Sequence, residues 1–256
     1  MNVKLISVIV LLLLFMPVHW IFAQELPFQV GEKLSFQVDY EFVNAGIATL
    51  EIPKIDTVFR HPCYNIRSVA KTNGLFSMFF KVRDQIDSYW DTELFVTRKY
   101  VKKLLEGSYK QFRIHYYFPE DTTTTYIKYK KSKRIEKKFK TLPSTQDVLS
   151  AFYKVRMMNF EVGDSMFINV TADGRNYRAK INVEKKEVLD TIFGKKECFL
   201  IVPVLKGEAI FKQKGKIEIW VTADKYKIPV MLKSKAIIGY FKAKLIDAEK
   251  VKIKNI

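Results

Sequence analysis

The side chains with the clearest chemical potential in this sequence are three aspartates grouped around a tryptophan. Asp84, Asp87 and Asp91 surround Trp90. Paired carboxylates supply the acid and the base of glycoside hydrolysis, and a sugar suits the mixture of acid and aromatic side chains. The alternative is architectural: Arg83 stands beside Asp84, and the two would form a structural ion pair at the rim of a barrel.

A similar layout returns later in the chain, where Lys216, Glu218 and Asp224 stand around Trp220. A layout that occurs twice favours architecture over catalysis, so we predict no catalytic residue and no enzyme activity. Five residues of the two groups remain candidates for ligand binding: Arg83, Asp84, Asp87, Trp90 and Trp220.

Other catalytic and metal-binding patterns are absent from the sequence. Beyond residue 23 the histidines are His61 and His115, and neither has a cysteine or a second histidine at ligand spacing. The patterns HExxH, CxxC and GxSxG and a glycine-rich phosphate loop do not occur. We therefore predict no metal and no cofactor, and we expect His115, which lies in an alternating segment, to face solvent.

A lysine-rich tract, KYKKSKRIEKKFK at residues 128–140, predicts a hairpin with a cationic tip. Such a tip suits anionic lipid or acidic polysaccharide. An edge hairpin that aids solubility, whose lysines block pairing with other strands, is an equal alternative. Four residues are candidates for contact with an anionic surface: Lys130, Lys131, Lys133 and Arg134.

The first 23 residues have the order of a secretory signal peptide. Lys4 precedes an apolar run, and Ala23 offers a small residue before polar ones. An uncleaved membrane anchor is the alternative, although Pro17 and His19 interrupt this short segment. We predict cleavage near Ala23 and a periplasmic or secreted protein in which residues 24–256 form a single β domain.

The composition is strongly basic, since 44 Lys and Arg against 27 Asp and Glu give a formal net charge of +17. Nucleic acid is the usual partner for such a balance, but export argues against it. Outside the cytoplasm the available anions are lipid phosphates and acidic glycans. We expect at most peripheral contact with a membrane, and the oligomeric state stays open.

Two cysteines, Cys63 and Cys198, occur in the chain. In an oxidising compartment one disulfide between them is an option, and it would close a long loop. Two buried free thiols are an equal alternative.

Alternating apolar and polar residues predict strands along most of the chain. Residues 34–40, 177–183 and 217–221 each show one apolar face, and turn residues separate such segments. We predict an all-β fold with one or two short helices and an antiparallel barrel-like or sandwich architecture. More than eight strands would leave room for a ligand inside a barrel, whereas two packed sheets would leave none.

One amphipathic helix is expected after Ser144, the predicted N-cap, with Asp147 as its capping-box partner and an end near Met158. A second helical turn is expected at residues 75–80, and a loop packed over a barrel mouth is the alternative. The apolar face of the longer helix is expected to contain Val148, Leu149, Phe152 and Val155.

The sequence also contains an internal repeat. FQVGEKLSFQV begins at Phe28 and FEVGDSMFINV begins at Phe160, 132 positions later. Further matches follow in the same order, and the two cysteines are among them. We predict two homologous halves, residues 26–112 and 159–250, joined by an insert at 113–158 that carries the hairpin and the longer helix.

Three stretches resemble a bacterial family known as domain of unknown function 3108: FQVGEKLSFQVDYEFVNAGIATLEI, QDVLSAFYKVR and KIEIWVTADKYKIPVMLKSKAIIGYFKAKL. Members look like exported envelope proteins, and the family is similar in fold to a β-rich lipoprotein of capsule-export operons (the YmcC-like fold). The resemblance implies an antiparallel barrel-like structure, but no activity and no site residues. This chain departs from the capsule lipoprotein in lacking a lipid-acceptor Cys at its start.

These observations give three functional hypotheses. The leading one is a non-enzymatic cell-envelope binding or assembly factor with a lipid or glycan ligand. The second is a structural protein-interaction module without a small ligand. The third is a glycan-active enzyme built on Asp84, Asp87 and Asp91, which requires these carboxylates to face one site.

Overall fold

The structure is a computed structural model that describes residues 25–130, 133–206, 217–236 and 239–253. The predicted signal segment with Ala23, and Lys131 of the hairpin, lie outside the described residues. The described strands are β1 Lys33–Tyr40, β2 Val43–Val58, β3 His61–Thr72, β4 Arg83–Asp91, β5 Thr97–Glu106, β6 Tyr109–Phe118, β7 Thr123–Lys130, β8 Lys133–Lys140, β9 Ser165–Ala172, β10 Arg175–Thr191, β11 Gly194–Lys206, β12 Ile217–Thr222, β13 Pro229–Lys235 and β14 Tyr240–Glu249. The helices are α1 Gly74–Phe79 and α2 Val148–Arg156, and a 3₁₀ turn covers Pro119–Asp121.

All fourteen strands belong to one antiparallel sheet with the order β8 to β1 followed by β14 to β9. Strands that follow one another in sequence pair with each other, except β8 and β9, and β1 pairs with β14, where Phe36 lies opposite Leu245. We call β1–β8 the first wing and β9–β14 the second wing. Because β8 and β9 are the edges, the sheet is not closed. The predicted all-β, antiparallel, barrel-like class is confirmed.

The segment between the two edges partly fills the gap between them. The Thr141 N–H donates to Thr122 O in the first wing at 2.8 Å. In the second wing, the Gln146 N–H donates to Asn169 O and the Thr171 N–H donates to Gln146 O, both at 2.8 Å. This connection positions the helix that follows it.

Helix α2 begins one turn later than the sequence suggests. Its N-cap is Asp147, whose Oδ1 accepts from the N–H groups of Leu149 and Ser150, and Ser150 Oγ accepts from the Asp147 N–H in return. The expectation that Ser144 caps the helix was therefore wrong, because Asp147 and Ser150 complete the capping box. Val148, expected on the apolar face, is 53% exposed.

The helix contacts both wings. Tyr153 packs in a buried cluster with Ile66 and Trp90 of the first wing. Val155 packs with Ile168 and Phe199 of the second wing. One helix can touch both wings only if the sheet curls around it, so α2 lies inside the barrel-like structure.

Candidate ligand-binding cleft

Helix α2 covers only part of the inner face of the sheet. Ile66 and Trp90 are completely buried in the helix cluster. Side chains alternate along a strand, so Ser68 and Ala70 lie on the same face of β3 as Ile66, but further from the helix. Both are only half-buried. The helix therefore seals one half of the inner face and leaves the other half accessible.

The accessible half is lined mainly with small and aliphatic side chains, and two charged residues lie on the same face: Asp84 opposite Ala70, and Lys102 opposite Ile86. Cross-strand pairing places Ala48 opposite Ala70, and Leu50 opposite Ser68. Each is half-buried, as expected for a concave surface that solvent can reach. We call this surface the open half, and its members are Ala48, Leu50, Ser68, Ala70, Ile86 and Ala243.

Three aromatic rings stand at one end of the open half. The Tyr40 ring centroid is 5.0 Å from that of Phe241 and 6.4 Å from that of Phe76 in α1. In a meander, alternate turns lie at the same end, so α1 shares this end with the β1–β2, β5–β6, β7–β8 and β13–β14 turns. We call it the α1 end. An apolar concave surface with a few polar groups at its margin is typical of ligand sites.

A buried polar cluster holds the N-terminal end of α2 against β4 and β5. Asp147 Oδ2 accepts from Ser88 Oγ at 2.5 Å and from Thr97 Oγ1 at 2.9 Å. Burial raises the pKa of this carboxyl, against the opposing effect of its hydrogen bonds. Both oxygens of Asp147 are occupied by protein donors, so the carboxyl positions the helix and has no access to a substrate.

The other end of the helix is held by a buried ion pair. Arg156 donates to both oxygens of Glu32, at 2.5 and 3.0 Å. The same guanidinium donates to Pro27 O at 2.9 Å and to Tyr226 O at 3.2 Å. The segment before β1 and the β12–β13 turn of the second wing therefore both supply acceptors to one side chain of α2.

The three aspartates of the sequence analysis do not share a site. Asp84 accepts from the Leu105 N–H at 2.9 Å. Its position on β4 puts it on the opposite face from Asp87 and Asp91. The latter two are four residues apart, about 13 Å along a strand, whereas the carboxylates of glycosidases are about 5–9.5 Å apart. This geometry favours the scaffold interpretation over the glycan-active enzyme.

Asp87 and Asp91 each bind an arginine. Asp87 accepts from Arg67 Nε at 2.7 Å, and Asp91 accepts from Arg98 Nε at 2.8 Å. Burial would raise the pKa of Asp91, but two backbone N–H groups and the Arg98 guanidinium lower it overall. Arg98 is 2% exposed and also binds Glu120 at 2.6 Å. Asp91 therefore stabilises the turn end of the sheet opposite α1, whereas Asp87 binds Arg67 midway along β3 and β4.

The two candidate tryptophans lie in different cores. Trp90 is completely buried and donates to Gln146 Oε1 at 2.9 Å, ahead of α2. Trp220 of the second wing is 7% exposed and donates to Glu187 Oε1 at 2.6 Å. Arg83 is exposed at the start of β4. The structure does not bring Arg83, Trp90 and Trp220 together.

His115 lies in the interior of the barrel-like structure, so the expectation that it faces solvent was wrong. It is 0% exposed, and its Nε2 accepts from the Gly174 N–H of the other wing at 3.2 Å. The rings of Tyr100, Tyr117 and Tyr126 surround it. Burial lowers the pKa of His115 to about 4.

The predicted lysine-rich hairpin is formed by β7 and β8. Lys133 and Arg134 are exposed at its tip, and Arg134 pairs with Glu136 at 2.5 Å. Lys130 ends β7, and Lys131 lies outside the described residues. The hairpin tip lies at the α1 end, and its contact with an anionic surface stays a prediction.

Both cysteines are free and buried. Cys63 lies on β3 and Cys198 on β11, with five strands between them in the sheet. In the part of the chain that the structure describes, no group of His, Cys, Asp and Glu has the arrangement of a metal site. No helix among those residues is long and apolar enough to cross a membrane.

Sequence reasoning did not identify the open half. Its members are ordinary strand residues, and only the placement of α2 separates them from the sealed half. A usable signal existed on β3, where Ile66 is followed at alternate positions by the small residues Ser68 and Ala70. The change from a large to small side chains along this face of β3 marks the point where the buried core ends.

The curled open sheet with one helix inside defines a barrel-like β protein. The chain belongs to the family described as a protein of unknown function (DUF3108), which matches residues 35–246. The resemblance drawn from the sequence is therefore confirmed. No curated protein matches the chain.

Among solved structures, the chain is similar to a beta-barrel-like protein of domain of unknown function DUF1849 from Brucella abortus. The TM-score is 0.53 at 11% sequence identity, and the likeness covers 85% of this chain and 96% of that one. At this identity the likeness shows the fold alone.

Proposed function

We propose that this chain is a non-enzymatic binding or assembly factor of the cell envelope, and that it holds the apolar part of a lipid in the open half. The observation that carries the proposal is that the inner face of the sheet is buried in one half and accessible in the other. Under α2 the inner face is a sealed core, and beyond it mainly small and aliphatic side chains, with Asp84 and Lys102 among them, line an accessible surface. Apolar surface that stays accessible in a concave site is stabilised when an apolar ligand covers it.

A lipid fits this surface better than a glycan. Glycan sites depend on exposed aromatic rings that stack on sugars, but Trp90 is completely buried and Trp220 is 7% exposed. The lining offers aliphatic groups instead, from Leu50 and Ile86 among others. At the margin of the same face, Lys102 and Arg113 pair with Asp173 and supply positive charge near a head group.

The cellular location in this proposal depends on the predicted signal peptide. Protein recovered from the envelope of its own cells is expected to begin at Gln24, as measured by intact mass. A chain that retains residues 1–23 would contradict the predicted cleavage near Ala23.

Native mass spectrometry of protein purified from its own envelope should show a co-purifying lipid. Ala70→Trp places a large side chain in the open half and should weaken lipid binding at least about tenfold, or about 1.4 kcal/mol, seen as a lower lipid-bound fraction. Val69→Trp, on the opposite face of the same strand, is the matched control and should keep the lipid.

Two outcomes would contradict the proposal. Repeatedly empty spectra of the unmodified protein would favour the structural interaction module without a small ligand. Equal lipid occupancy in Ala70→Trp and Val69→Trp would place any bound lipid outside the open half.

A further inference from the structure

Helix α1 presents its apolar side chains to solvent. Leu75, Met78 and Phe79 occupy positions i, i+3 and i+4, which lie on one face of a helix. They are 78%, 79% and 89% exposed. Only Phe76 turns inwards, towards Tyr40 at the mouth of the open half. Leu75, Met78 and Phe79 thus form an apolar helix face that points away from the protein.

This exposed face is held in place by specific hydrogen bonds. Asn73 caps α1 through the Phe76 N–H at 2.8 Å and donates from Nδ2 to Asn44 O at 2.7 Å. The hydroxyl groups of Ser77 and Thr72 lie 2.7 Å apart. The conformational entropy of ordering the helix is therefore already lost in the folded protein, so a partner does not need to order it.

The adjacent β1–β2 turn extends the apolar surface. Phe42 is 92% exposed and Val43 is also exposed, and the bond from Asn73 to Asn44 ties this turn to α1. Phe80 is half-exposed beside Gly107 of the β5–β6 turn. We call Phe42, Val43, Leu75, Met78, Phe79 and Phe80 the apolar tip. Contiguous exposed apolar groups of this kind mark interaction surfaces.

Basic side chains surround the apolar tip. Lys71 and Lys81 flank α1 in sequence, and Lys110 and Lys235 stand at neighbouring turns of the same end, all of them exposed. The hairpin residues Lys133 and Arg134 lie at this end as well. Three carboxylates keep their negative charge at this end: Glu41 and Asp84, which accept from the N–H groups of Tyr240 and Leu105, and Glu106 at the end of β5. The basic side chains outnumber them.

We propose that the apolar tip docks the protein onto an anionic lipid bilayer, with α1 in the interface and the lysines among the phosphates. The combination of a short apolar face and basic side chains is the one that interfacial segments use. A second copy of the chain is disfavoured as the occupant, since two tips face to face would bring like charges together. Docking does not depend on the proposed cargo, although it would place the mouth of the open half against the bilayer.

The test uses protein as its own cells process it, with vesicles of phosphatidylcholine alone or mixed with phosphatidylglycerol. In Phe79→Trp the emission of the new indole should shift to the blue on anionic vesicles, and brominated lipids should quench it. Leu94→Trp places the same probe in an exposed turn at the opposite end and should do neither. This readout reports insertion and not mere attraction.

Binding should fall when the tip is altered. Leu75→Ser, Met78→Ser and Phe79→Ser together should weaken vesicle binding at least about tenfold, whereas Leu94→Ser should not. Lys71→Ser, Lys81→Ser and Lys235→Ser should weaken binding most at low salt, unlike Lys185→Ser, Lys186→Ser and Lys195→Ser at the other end. Circular dichroism checks the fold of each variant.

Three results would overturn the proposal. One is an unshifted indole emission of the Phe79→Trp variant on anionic vesicles, and another is equal vesicle binding by the triple apolar variant. The third is a change of that triple variant from dimer to monomer in sedimentation velocity with vesicle binding unaltered, which would assign the tip to a second copy. Because Ala70→Trp should still dock, loss of cargo and loss of docking are separate outcomes.

Discussion

His115 shows how the second wing determines the environment of a residue in the first. On β6 His115 shares a face with Gln111 and Arg113 and alternates with Phe112 and Ile114, which is the pattern of a strand with one face in solvent. In the folded protein the β9–β10 turn closes over it, and the Gly174 N–H binds Nε2. This bond leaves the proton on Nδ1, which is buried without a hydrogen-bond partner. A neutral imidazole is therefore built into the contact between the wings.

The free energy of unfolding should depend on pH through the protonation of the His115 ring. The pKa of His115 is about 4 in the folded protein and 6.5 ordinarily, so the unfolded chain binds the extra proton between these values. The stability due to the neutral ring is complete above pH 6.5 and is lost as the pH falls towards 4, by about 3 kcal/mol in all. His115→Gln should flatten this part of the curve in urea unfolding at stepped pH.

A matched variant is available at His61, whose side chain is 43% exposed. His61→Gln should leave the loss of stability between pH 6.5 and 4 as steep as in the unmodified protein. An equally steep loss in His115→Gln would show that other groups cause it.

Residue types alone predicted the scaffold role of the aspartates because the motif occurred twice. They did not predict burial, since burial depends on what covers a side chain. Asp147 illustrates this difference: its sequence position marks a helix start, but its two hydroxyl donors come from Ser88 and Thr97, on two other strands. Such partners are close only after the sheet has formed.

At the scale of elements, the attachment of α2 decides how much of the inner face is sealed. The helix was predicted from its capping residues and apolar spacing, and it exists close to the expected place. Its exact start differs because Asp147 binds the sheet as well as the helix N-terminus. Its C-terminal end depends on Arg156, whose partner Glu32 lies far away in sequence.

Removal of one member of the Glu32–Arg156 pair should be costly, because the remaining charge stays buried. Glu32→Leu and Arg156→Leu should each lower the free energy of unfolding by about 3–5 kcal/mol. The double variant should lose clearly less than the sum, as measured by a double-mutant cycle in urea. Part of the Arg156→Leu loss will persist in the double variant, since Pro27 O and Tyr226 O also lose a donor. Additive losses would show that the two charges are not coupled.

At the scale of the whole molecule, matched hydrogen bonds support the predicted duplication. The Gly31 N–H donates to Ile52 O at 2.7 Å, and the Gly163 N–H donates to Val183 O at 2.9 Å. The two donors, Gly31 and Gly163, lie 132 positions apart, and the two acceptors, Ile52 and Val183, lie 131 positions apart, close to the spacing of the sequence repeat. The two homologous halves stay a prediction, which these equivalent contacts favour. The way in which the wings join at β1 and β14 could not be inferred from the repeat, because it depends on the sheet order.

The same arrangement makes a specific prediction for the cysteines. Cys63 lies opposite Asp56 and Asp91, and Cys198 lies opposite Glu187 and Thr222, so each thiol has neighbours from its own wing. A disulfide requires Cα atoms within about 7 Å, but five strands separate β3 from β11 in the sheet.

Burial raises the pKa of both thiols to about 12, which suppresses the reactive thiolate in the folded state. Iodoacetamide should therefore add two groups to unreduced, denatured protein and react far more slowly with the native form, as measured by intact mass. Alkylation that appears only after reduction would mean that a disulfide between Cys63 and Cys198 joins the two wings. The separation of the two thiols, with one in each wing, would then be wrong.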